Sequence, residues 1–415
     1  MTHDTNIPQG YKATALGIIP QEWEVMRLGD IVSITSGESP SLYHLKAEGK
    51  YPYVKVEDLN NCEKYQESSR EYSDDNNTTI KAGSIIFPKR GASILNNKVR
   101  IAAKDIQMDS NMMAITPHTA IVDTEFLYIR ILHERLYRIA DTSSIPQINN
   151  KHIIPYKIAV PPLAEQRKIA EVLGVWDEAI EKQARLIEKL ALRKRALMQR
   201  LLSAKLRLPG FSEPWQKVKL GDIGDTYNGL SGKNKDDFEY GNAQFIPYIN
   251  VFSNERIDTN NLGCVQIKPN EQQNTVKYGD IFFTVSSETP DEVGMASVLL
   301  EHLDNTYLNS FCFGYRLNNF STLNPFFAAY LFRTEHFRNY MSVLAQGSTR
   351  FNISKKEVMK LKIDLPTIEE QTAIAEVLTA ADREIELAKE KLDRLRRQKR
   401  GLMQQLLTGK KRIKY

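Results

Sequence analysis

Two stretches of about 40 residues repeat hydrophobic side chains in the heptad pattern of a coiled coil. They start at Pro161-Pro162 and at Pro366, and neither contains a further proline. Five consecutive heptads in each stretch predict two long helices of roughly 60–65 Å that pack along their a and d positions. These positions are Leu173, Trp176, Ile180, Gln183, Ile187, Leu190, Lys194, Leu197, Leu201 and Ala204, and then Leu378, Ala381, Ile385, Ala388, Leu392, Leu395, Lys399, Leu402, Leu406 and Gly409.

The two helical stretches are copies of one another. Residues 161–207 align without gaps with residues 366–412, and about 21 of 47 positions are identical, which indicates two equivalent structural units. The simplest arrangement pairs the two helices of this chain antiparallel and relates its halves by a pseudo-two-fold axis. A coiled coil between two chains is the alternative. Lys194 and Lys399 occupy equivalent a positions, where they either set the register or extend their charged ends past the seam.

A weaker repeat precedes each helical stretch. Its three matches are Trp23–Ile31 with Trp215–Ile223, Pro52–Val54 with Pro247–Ile249, and Lys81–Phe87 with Lys277–Phe283. The offsets differ, so loops of different length separate equivalent elements. The sequence therefore predicts two similar globular domains that alternate with two helices. The expected boundaries are 1–160 for the first domain, 161–208 for the central helix, 209–364 for the second domain and 365–415 for the C-terminal helix.

The globular domains contain mostly strands. Apolar and β-branched segments between Gly, Asn and Ser clusters predict strands. Four such segments are Ser84–Phe87, Lys98–Ala102, Asp280–Val285 and Ala296–Leu300. One helix is expected near the end of each domain, with Thr124 or Asn324 as N-cap residue and Pro325 at the first helical position. The predicted fold class is α/β (α+β).

Composition narrows the class of protein. The chain has 415 residues, 41% hydrophobic and 26% charged, with a mean hydropathy of −0.42. No apolar run approaches the roughly eighteen residues that a membrane span needs. Residues 1–17 lack a basic start followed by an apolar stretch, so we expect no secretory signal. Cys62, Cys264 and Cys312 form no CxxC pair. We therefore expect a cytoplasmic protein without a disulfide framework or a zinc site.

The net charge of +5 permits a nucleic-acid partner. Lys and Arg outnumber Asp and Glu by five in residues 163–207 and by four in residues 365–415, whereas residues 1–162 and 208–364 are slightly acidic. The surplus therefore lies on the helices, where it faces water, acidic partner surfaces or DNA. We expect the isolated chain to bind DNA weakly and to need partner subunits for tight, specific binding.

The chain lacks the motifs of an enzyme. Asn324–Phe327 superficially resembles the Asn-Pro-Pro-Tyr/Phe motif of amino-methyltransferases, but the second proline is missing. Gly229–Lys233 has the wrong spacing for a phosphate-binding loop, and His133-Glu134 lacks the second histidine of a zinc protease. Asp291-Glu292 has no lysine placed as in a nuclease site. We expect no catalytic residue, no metal site and no cofactor bound by this chain.

The motifs W-x4-L-G-D-I, P-[PT]-[LI]-x-E-Q-x2-I-A-E-V-L and L-M-Q-x-L-L occur once in each half. They resemble those of the DNA-specificity subunits of type I restriction–modification systems, and the likeness covers nearly the whole chain. Gly347–Ser354 with Leu361–Pro366 is also similar to that family, whereas the first half has Thr142–Asn149 in the equivalent place. The resemblance implies a noncatalytic subunit whose two target-recognition domains each read half of an asymmetric bipartite DNA site.

The same resemblance implies the partners. These are double-stranded DNA, two adenine-methyltransferase subunits, and two motor-nuclease (restriction/translocase) subunits that join through them. The long helices would serve as spacer and docking surface. S-adenosylmethionine, ATP and Mg would belong to the partner subunits.

DNA contacts in the first domain are expected within residues 81–104, which hold six basic residues and no acidic one. Cations bind phosphates, a glycine lets the backbone approach them, and asparagine amides can read adenine edges. The candidates are Lys89, Arg90, Ser93, Asn96, Asn97, Lys98 and Arg100. A solvated basic hairpin is the alternative.

The equivalent loop of the second domain, Val285–Glu292, is acidic. A carboxylate there can accept a hydrogen bond from the amino group of cytosine but cannot bind phosphate. Phosphate contacts would then come from cations elsewhere in the domain, unless those are ordinary surface residues. The candidates are Lys233, Lys235, Ser286, Ser287, Glu288, Thr349, Arg350 and Lys355.

Two other functions stay open. The chain could be a coiled-coil scaffold that never touches DNA, or a self-contained methyltransferase or nuclease, which the missing cofactor motifs disfavour. The base sequence of a DNA target does not follow from the composition of the loops, because loop geometry decides which base edges a side chain reaches.

Overall fold

A computed structural model of the chain describes residues 7–142, 145–238 and 240–414. Its contacts divide the chain into two compact units. Unit 1 comprises the residues up to Ala184 together with those from Lys391 on, and unit 2 comprises Arg185–Glu390. Each unit therefore contains one globular part and a section of both long helices.

The elements of unit 1 follow the chain order. Its strands are β1 (Tyr11–Thr14), β2 (Gly17–Pro20), β3 (Glu24–Arg27), β4 (Val32–Ser36), β5 (Tyr51–Val54), β6 (Tyr65–Gln66), β7 (Tyr72–Ser73), β8 (Ile85–Pro88), β9 (Arg100–Ala102), β10 (Gln107–Met108), β11 (Met112–Pro117) and β12 (Lys157–Val160). Its helices are α1 (Leu28–Ile31), α2 (Thr124–Glu134), α3 (Leu136–Ile139), α4 (Asn150–Ile153) and the first part of α5 (Leu163–Leu201).

Unit 2 repeats this order with differences in the loops. Its strands are β13 (Gln216–Lys219), β14 (Gly224–Asn228), β15 (Ala243–Ile246), β16 (Gly263–Val265), β17 (Ile281–Thr284), β18 (Ser286–Ser287), β19 (Ala296–Val298), β20 (Thr306–Leu308), β21 (Cys312–Leu317), β22 (Phe351–Asn352) and β23 (Lys362–Leu365). Its helices are α6 (Leu220–Ile223), α7 (Tyr248–Ser253), α8 (Pro325–Leu331), α9 (Glu335–Leu344), α10 (Lys355–Val358) and the first part of α11 (Ile368–Leu407). Strands and helices thus mix in both units, as the predicted α/β class requires.

Each unit is built on an antiparallel sheet of the same strand order. The order is β4-β11-β8-β9 in unit 1, where β6 adds in parallel beside β9, and β14-β21-β17-β19 in unit 2. The inner strands β8 and β17 are buried along their whole length, which is typical of strands covered on both faces. The four strands predicted from the sequence are confirmed as β8, β9, β17 and β19, with ends shifted by at most two residues.

Alternate residues of the inner strand enter two different cores. Ile85 and Phe87 pack with the helical side of unit 1, where Leu173 of α5 also lies, while Ile86 packs on the opposite face with Val54 of β5. This follows from the two-residue period of a strand. Unit 2 repeats the pattern with Ile281 and Phe283 on the helical side and Phe282 on the other. The sheet is therefore a middle layer between helices and a three-stranded sheet, β10-β5-β7 or β16-β15-β20.

One sequence match between the halves is wrong. Val54 pairs with Met108 in parallel strands β5 and β10, and the equivalent parallel pair in unit 2 is Ile246 with Leu308. Pro52–Val54 therefore corresponds to the end of β15, whereas Tyr248 already begins helix α7. The shared Pro-Tyr dipeptide is a coincidence, because strand pairing and not residue identity fixes the equivalence.

The L-G-D-I motif forms a single helical turn that docks on a neighbouring segment. The Gly29 N–H donates to the carbonyl of Ile154 (3.2 Å), and the Gly221 N–H donates to that of Met359 (2.9 Å). A Cβ on Gly29 would lie 2.9 Å from Ile154 Cγ2 and 3.1 Å from its Cα. The glycine is therefore required for this close approach.

Helices α2 and α8 begin with equivalent caps. Asn324 is the N-cap of α8, its side chain accepts from the Phe326 N–H (2.8 Å), and Pro325 follows at the first helical position, as predicted. In α2 the prediction of Thr124 is wrong. Asp123 is the N-cap there, and its carboxylate accepts from two backbone N–H groups at 3.0 Å. An aspartate one residue earlier supplies the acceptor that the threonine was expected to supply.

The Glu-Gln dipeptide at the start of each long helix is buried. Gln166 accepts from the Asp123 N–H (2.8 Å) and donates to the Pro161 carbonyl (2.8 Å). Gln371 binds Asn324 and Pro366 in the same way, at 2.9 Å in both bonds. These bonds satisfy backbone groups that would otherwise be buried without partners, and they tie each long helix to the helix of the globular part.

The predicted a and d positions of the long helices are buried or partly buried from Leu173 to Leu201 and from Leu378 to Leu406. The last d position in each stretch is wrong. Ala204 (φ 57°) and Gly409 (φ 71°) lie beyond the helix ends in the left-handed region, where they terminate the helices instead of packing in the seam. The heptad count continued past both helix ends because it follows residue spacing alone, and spacing does not show where a left-handed residue ends the helix.

Ion pairs join α5 to α11 and to the segment that follows α11 within unit 1. Glu165 accepts from Nε and Nη2 of Arg412 at 2.7 and 2.9 Å, and the Asp177 carboxylate pairs with Lys399. The chain advances from residue 165 to 177 on one partner while it runs back from 412 to 399 on the other. The paired sections are therefore antiparallel.

Unit 2 contains the same two pairs with the roles exchanged. Arg207 binds both oxygens of Glu370 at 2.7 Å, and Lys194 lies 2.7 Å from Asp382. The repeat aligns these residues with Arg412, Glu165, Lys399 and Asp177 of unit 1. Lys194 and Lys399 thus each meet an aspartate of the other long helix.

Among the described residues, no helix has both the length and the apolar character that a membrane span demands.

Candidate nucleic-acid interface

The candidate residues of unit 1 lie where β8 ends and β11 begins. The Lys89 N–H donates to the Asn111 carbonyl (2.8 Å), and the Ile148 N–H donates to the Lys89 carbonyl (2.9 Å). Arg90 and Gln147 form a β-bridge beside them. Three loops therefore meet at this end of the sheet. We define the loop end of unit 1 as residues 89–98, 109–111 and 145–149.

Unit 2 repeats this meeting of loops. The Val285 N–H donates to the Phe311 carbonyl (2.9 Å), and the Ile353 N–H donates to the Val285 carbonyl (3.0 Å). Ser286 pairs with Asn352 in strands β18 and β22. We define the loop end of unit 2 as residues 285–292, 309–311 and 346–355.

The bridges also identify the two returning segments as equivalents. Gln147 bridges Asp141 and Arg90, and Asn352 bridges Gln346 and pairs with Ser286. Thr142–Asn149 thus occupies the place of Gly347–Ser354, as the sequence indicated. Ser143 and Ser144 lie outside the described residues.

Lys89 and Arg90 supply positive charge to the loop end of unit 1. Arg90 is exposed, and Lys89 is partly buried. Burial lowers the pKa of Lys89, an effect that the nearby Asp109 carboxylate opposes. Neither cation forms an ion pair within the described part of the chain. Ser93, Asn96 and Lys98 follow in the same loop, with Asn96 exposed and the other two partly buried.

Asn97 and Arg100 make internal contacts. Asn97 has a positive φ of 51°, and its side chain donates to the Leu132 carbonyl and accepts from the Leu136 N–H. The Arg100 guanidinium donates to three backbone carbonyls, those of Leu59, Cys62 and Val99, at 2.7–2.8 Å. Both side chains therefore attach the loop to neighbouring backbone through internal hydrogen bonds.

Lys233 and Lys235 contact a different part of unit 2. The Lys233 ammonium is buried and donates to Glu271 and to the Gln266 carbonyl, both at 2.6 Å. Its hydrogen bond lowers the pKa of Glu271 to about 2. Lys235 is exposed at the start of a short 3-10 helix, Lys235–Phe238. Neither belongs to the loop end of unit 2.

The other six candidates, Lys355 among them, lie at the loop end of unit 2. Glu288, Thr349 and Arg350 are exposed, whereas Ser286 and Ser287 are buried. The Ser287 hydroxyl donates to Glu292 (2.9 Å), so the acidic loop is closed on itself. Because Ser287 pairs with Phe351 in β18 and β22, the exposed residues Glu288 and Arg350 both directly adjoin that pair.

Lys355 lies between two strands of the sheet in unit 2. Its ammonium group donates to the Asn228 side chain and lies 5.9 Å from the centre of the Phe313 ring. Burial lowers the pKa of Lys355, because a desolvated ammonium group is less stable in its charged form. The Lys355 ammonium group therefore brings a positive charge to the ends of β14 and β21.

The sequence did not reveal the turn before β11 or β21 as part of the site. Asp109 accepts from the Asn111 N–H (2.7 Å), and Asn309 accepts from the Phe311 N–H (2.9 Å). Asn111 and Phe311 are both exposed. The recurring pattern Asp/Asn-Ser-x directly before a buried strand could have indicated this turn, but only strand pairing shows that it lies beside the candidate loops.

The positive charge of the long helices is partly paired. Lys194, Arg207, Lys399 and Arg412 all bind carboxylates inside their own units. Several other cations on the helices are exposed and form no ion pair among the described residues, among them Arg195, Arg200, Arg397 and Arg400.

Comparison with known proteins identifies the family of this chain. The model of the type I restriction modification DNA specificity domain matches residues 20–191 and again residues 212–397. The chain belongs to this family, and it contains two copies of the domain. Recognition of a DNA target is the activity that the family implies.

Similar proteins share the full length of the chain. The type I restriction enzyme MjaVIII specificity subunit of Methanocaldococcus jannaschii is 26% identical over 95% of this chain and 94% of its own length. The putative type I restriction enzyme MjaX specificity subunit of the same organism is 25% identical over 98% and 97%. Both relatives carry the name of a type I restriction enzyme specificity subunit.

Solved structures show the same fold. A chain from a structure of complex assembly and conformational transition in a type I R-M system superposes with a TM-score of 0.64 at 20% identity, over 94% of this chain and 99% of that one. The S subunit from M. genitalium gives 0.54 at 17% over 98% of both chains. The HsdS subunit from Thermoanaerobacter tengcongensis gives 0.53 at 19% over 94% and 98%.

Proposed function

We propose that this chain is the noncatalytic subunit that reads an asymmetric, bipartite DNA target for a type I restriction–modification complex. One loop end would read each half-site. The observation that carries the proposal is that both units build their loop ends on the same strands and the same backbone hydrogen bonds, yet present different side chains. Two units with the same backbone framework but different side chains suit two half-sites of different sequence. Phosphate contacts position a protein on DNA, while contacts to bases specify the sequence, so differing side chains can select different bases.

The charges at the two loop ends support different balances of contact. Lys89 and Arg90 offer unit 1 two unpaired cations for phosphates. Unit 2 offers Arg350 together with Glu288, a carboxylate that can accept from the amino group of cytosine. We therefore propose more phosphate contact by unit 1 and more base contact by the acidic loop of unit 2.

We further propose that α5 and α11 form one antiparallel coiled coil that acts as a spacer and relates the halves by a pseudo-two-fold axis. The buried a and d positions and the reciprocal ion pairs inside each unit support this arrangement. A rigid spacer fixes the distance between half-sites, which face one side of the duplex when they are about 34 Å apart.

The partners follow from the same proposal. We propose that the long helices dock two adenine-methyltransferase subunits, through which two motor-nuclease subunits join, and that these partners bind S-adenosylmethionine, ATP and Mg. Exposed apolar side chains on the helices support a docking role, since Val175 is 62% and Leu192 is 61% exposed. Catalysis would then reside entirely in the partner subunits.

Methylation mapping of a reconstituted complex tests the proposal. The chain is combined with the methyltransferase subunit of its host, supplied with S-adenosylmethionine and random-sequence DNA, and modified positions are sequenced. A discrete two-part site is expected. Absence of such a site would favour a scaffold that does not read DNA, and binding of S-adenosylmethionine by the purified chain alone would favour a self-contained enzyme.

Matched variants assign the half-sites. Lys89→Ala with Arg90→Ala should weaken binding of the whole complex and reduce its salt dependence, whereas Glu288→Gln should change the base preference in one half-site. Lys12→Ala serves as the charge control, because it removes a positive charge in β1, outside the loop end of unit 1. The isolated chain should bind DNA only weakly, as measured by electrophoretic shift with and without partner.

A further inference from the structure

We propose that the side chain at the tip of one turn in each unit, Asn111 in unit 1 and Phe311 in unit 2, is a base-reading residue. Asn111 would read adenine through its amide, and Phe311 would contact the methyl group of thymine. This inference rests on the proposed function, and it assigns specificity to two residues that lie outside the basic and acidic loops considered above.

The turn has the same backbone in both units. Residue 109 or 309 accepts from the N–H two positions later at 2.7 or 2.9 Å. The carbonyl at the tip, of residue 111 or 311, accepts from the first loop residue after the central strand at 2.8 or 2.9 Å. The turn is thereby fixed to the sheet on one side and to the candidate loop on the other.

A glycine holds the turn from behind. A Cβ on Gly37 would collide with the backbone of Asp109, and a Cβ on Gly229 would collide with that of Asn309. The neighbouring strand therefore packs directly against the turn in both units. A side chain on a rigid element is held in a defined position, which a base-specific contact requires.

The two units differ at the tip of this shared turn. Ser110 and Ser310 precede the tip in the same exposed position, and the next residue is an amide in unit 1 and an aromatic ring in unit 2. The Phe311 ring is 58% exposed. An identical frame that presents different side chains is the arrangement expected where two readers share one scaffold and differ in target.

The hydrogen bonds of Asn111 leave the groups that adenine needs. One amide hydrogen of Asn111 is directed at the Asp109 carboxylate (2.8 Å). Its carbonyl oxygen and second amide hydrogen make no hydrogen bond among the described residues. One free acceptor and one free donor match the N6 amino group and N7 of adenine in the major groove.

The surroundings of Phe311 favour a nucleic-acid ligand. The Phe311 carbonyl binds Val285, and the neighbouring Ser286 accepts from the Tyr248 hydroxyl (3.1 Å). Ser287 pairs with Phe351 of β22, which Arg350 directly precedes, so the loop end that carries the Phe311 ring also carries an accessible cation. An exposed apolar ring and a cation on one loop end are complementary to a thymine methyl group and a phosphate.

Base analogues test the assignment in the reconstituted methyltransferase complex. Duplexes of the mapped site carry uracil for thymine, which removes the methyl group, or 7-deazaadenine for adenine, which removes N7, one position at a time. The wild-type complex should lose roughly five- to hundredfold in affinity at one uracil position in one half-site and at one deazaadenine position in the other. Phe311→Ala should abolish the first sensitivity and Asn111→Ala the second.

The matched control is Phe320→Ala. Phe320 is 42% exposed and follows the opposite end of β21, so this variant should retain both sensitivities. If Phe311→Ala and Asn111→Ala respond to the analogues like the wild type, the inference is overturned while the proposed function stands. If the wild-type complex recognises no discrete site, both are overturned. Equal thermal unfolding of all variants excludes misfolding as the cause of a loss.

Discussion

Replacing Arg412 by methionine should destabilise unit 1 from a position at the far end of the chain. Arg412 binds both oxygens of Glu165, whose side chain is fully buried, while Arg412 itself is 31% exposed. The Trp23 indole N–H also donates to Glu165 (3.0 Å). The variant would leave a buried carboxylate with one donor and without a compensating charge.

The structure sets the size of the effect. Loss of one partner from a buried ion pair costs about 3–5 kcal/mol. We expect about 3 kcal/mol for Arg412→Met, because water can reach the vacated site and Trp23 remains as a donor. The equivalent Arg207→Met should destabilise unit 2 more than Arg412→Met destabilises unit 1, because the Trp215 indole N–H makes no hydrogen bond among the described residues and so does not support Glu370.

Urea unfolding followed by tryptophan fluorescence and calorimetry measures these changes. Glu22→Gln is the control, because Glu22 is 61% exposed and shares only one Arg412 nitrogen, so its loss should cost less than about 1 kcal/mol. The double variant Glu165→Gln with Arg412→Met should be more stable than Arg412→Met alone, since it removes the unpaired charge.

Two results would refute this reasoning. One is a loss for Arg412→Met no larger than that for Glu22→Gln, which would mean that the pair contributes like a surface pair. The other is a double variant less stable than Arg412→Met, which would mean that Glu165 contributes through its charge even without the arginine.

Three further predictions concern other parts of the chain. Gly29→Ala should lower the free energy of unfolding by about 1–3 kcal/mol, because its Cβ would crowd Ile154. The control Gly174→Ala lies inside helix α5, where the added Cβ meets nothing within 4 Å, and it should be neutral or stabilising. The stability difference between wild type and Glu271→Gln should be present at neutral pH and shrink as the pH falls from about 4.5 towards about 2, because the depressed pKa of Glu271 marks an interaction of its charged form; a pH-independent difference would contradict it. Arg90→Ala should reduce the slope of log affinity against log salt by about 1 for the reconstituted complex without changing its base preference, and an altered preference would show that Arg90 reads bases.

The sequence predicted the features that depend on local periodicity and repetition. The heptads located the buried positions of α5 and α11, because a helix that packs along one side must bury every third or fourth residue. The strands β8 and β17 were evident from their apolar runs. The internal repeat showed that one scaffold occurs twice.

Features set by tertiary contact were not predictable in this way. Arg100 and Lys233 have the residue type of a phosphate ligand, yet the structure directs one to backbone carbonyls and the other to Glu271. Charge alone does not reveal which carboxylate or carbonyl another segment brings near. The turn at Asn111 and Phe311 was missed for the same reason, since its position beside the loops depends on strand pairing across the sheet.

The division of the chain into units has a consequence for its synthesis. Unit 2 is continuous in sequence, whereas unit 1 needs the residues from Lys391 on. At about 5–20 residues per second, the ribosome takes roughly 10–50 s to add the segment that follows Ala184. Through this interval the nascent first unit lacks Leu406 and Leu407, which fill its core beside Leu173. The part of the protein that is made first is therefore the last to be completed.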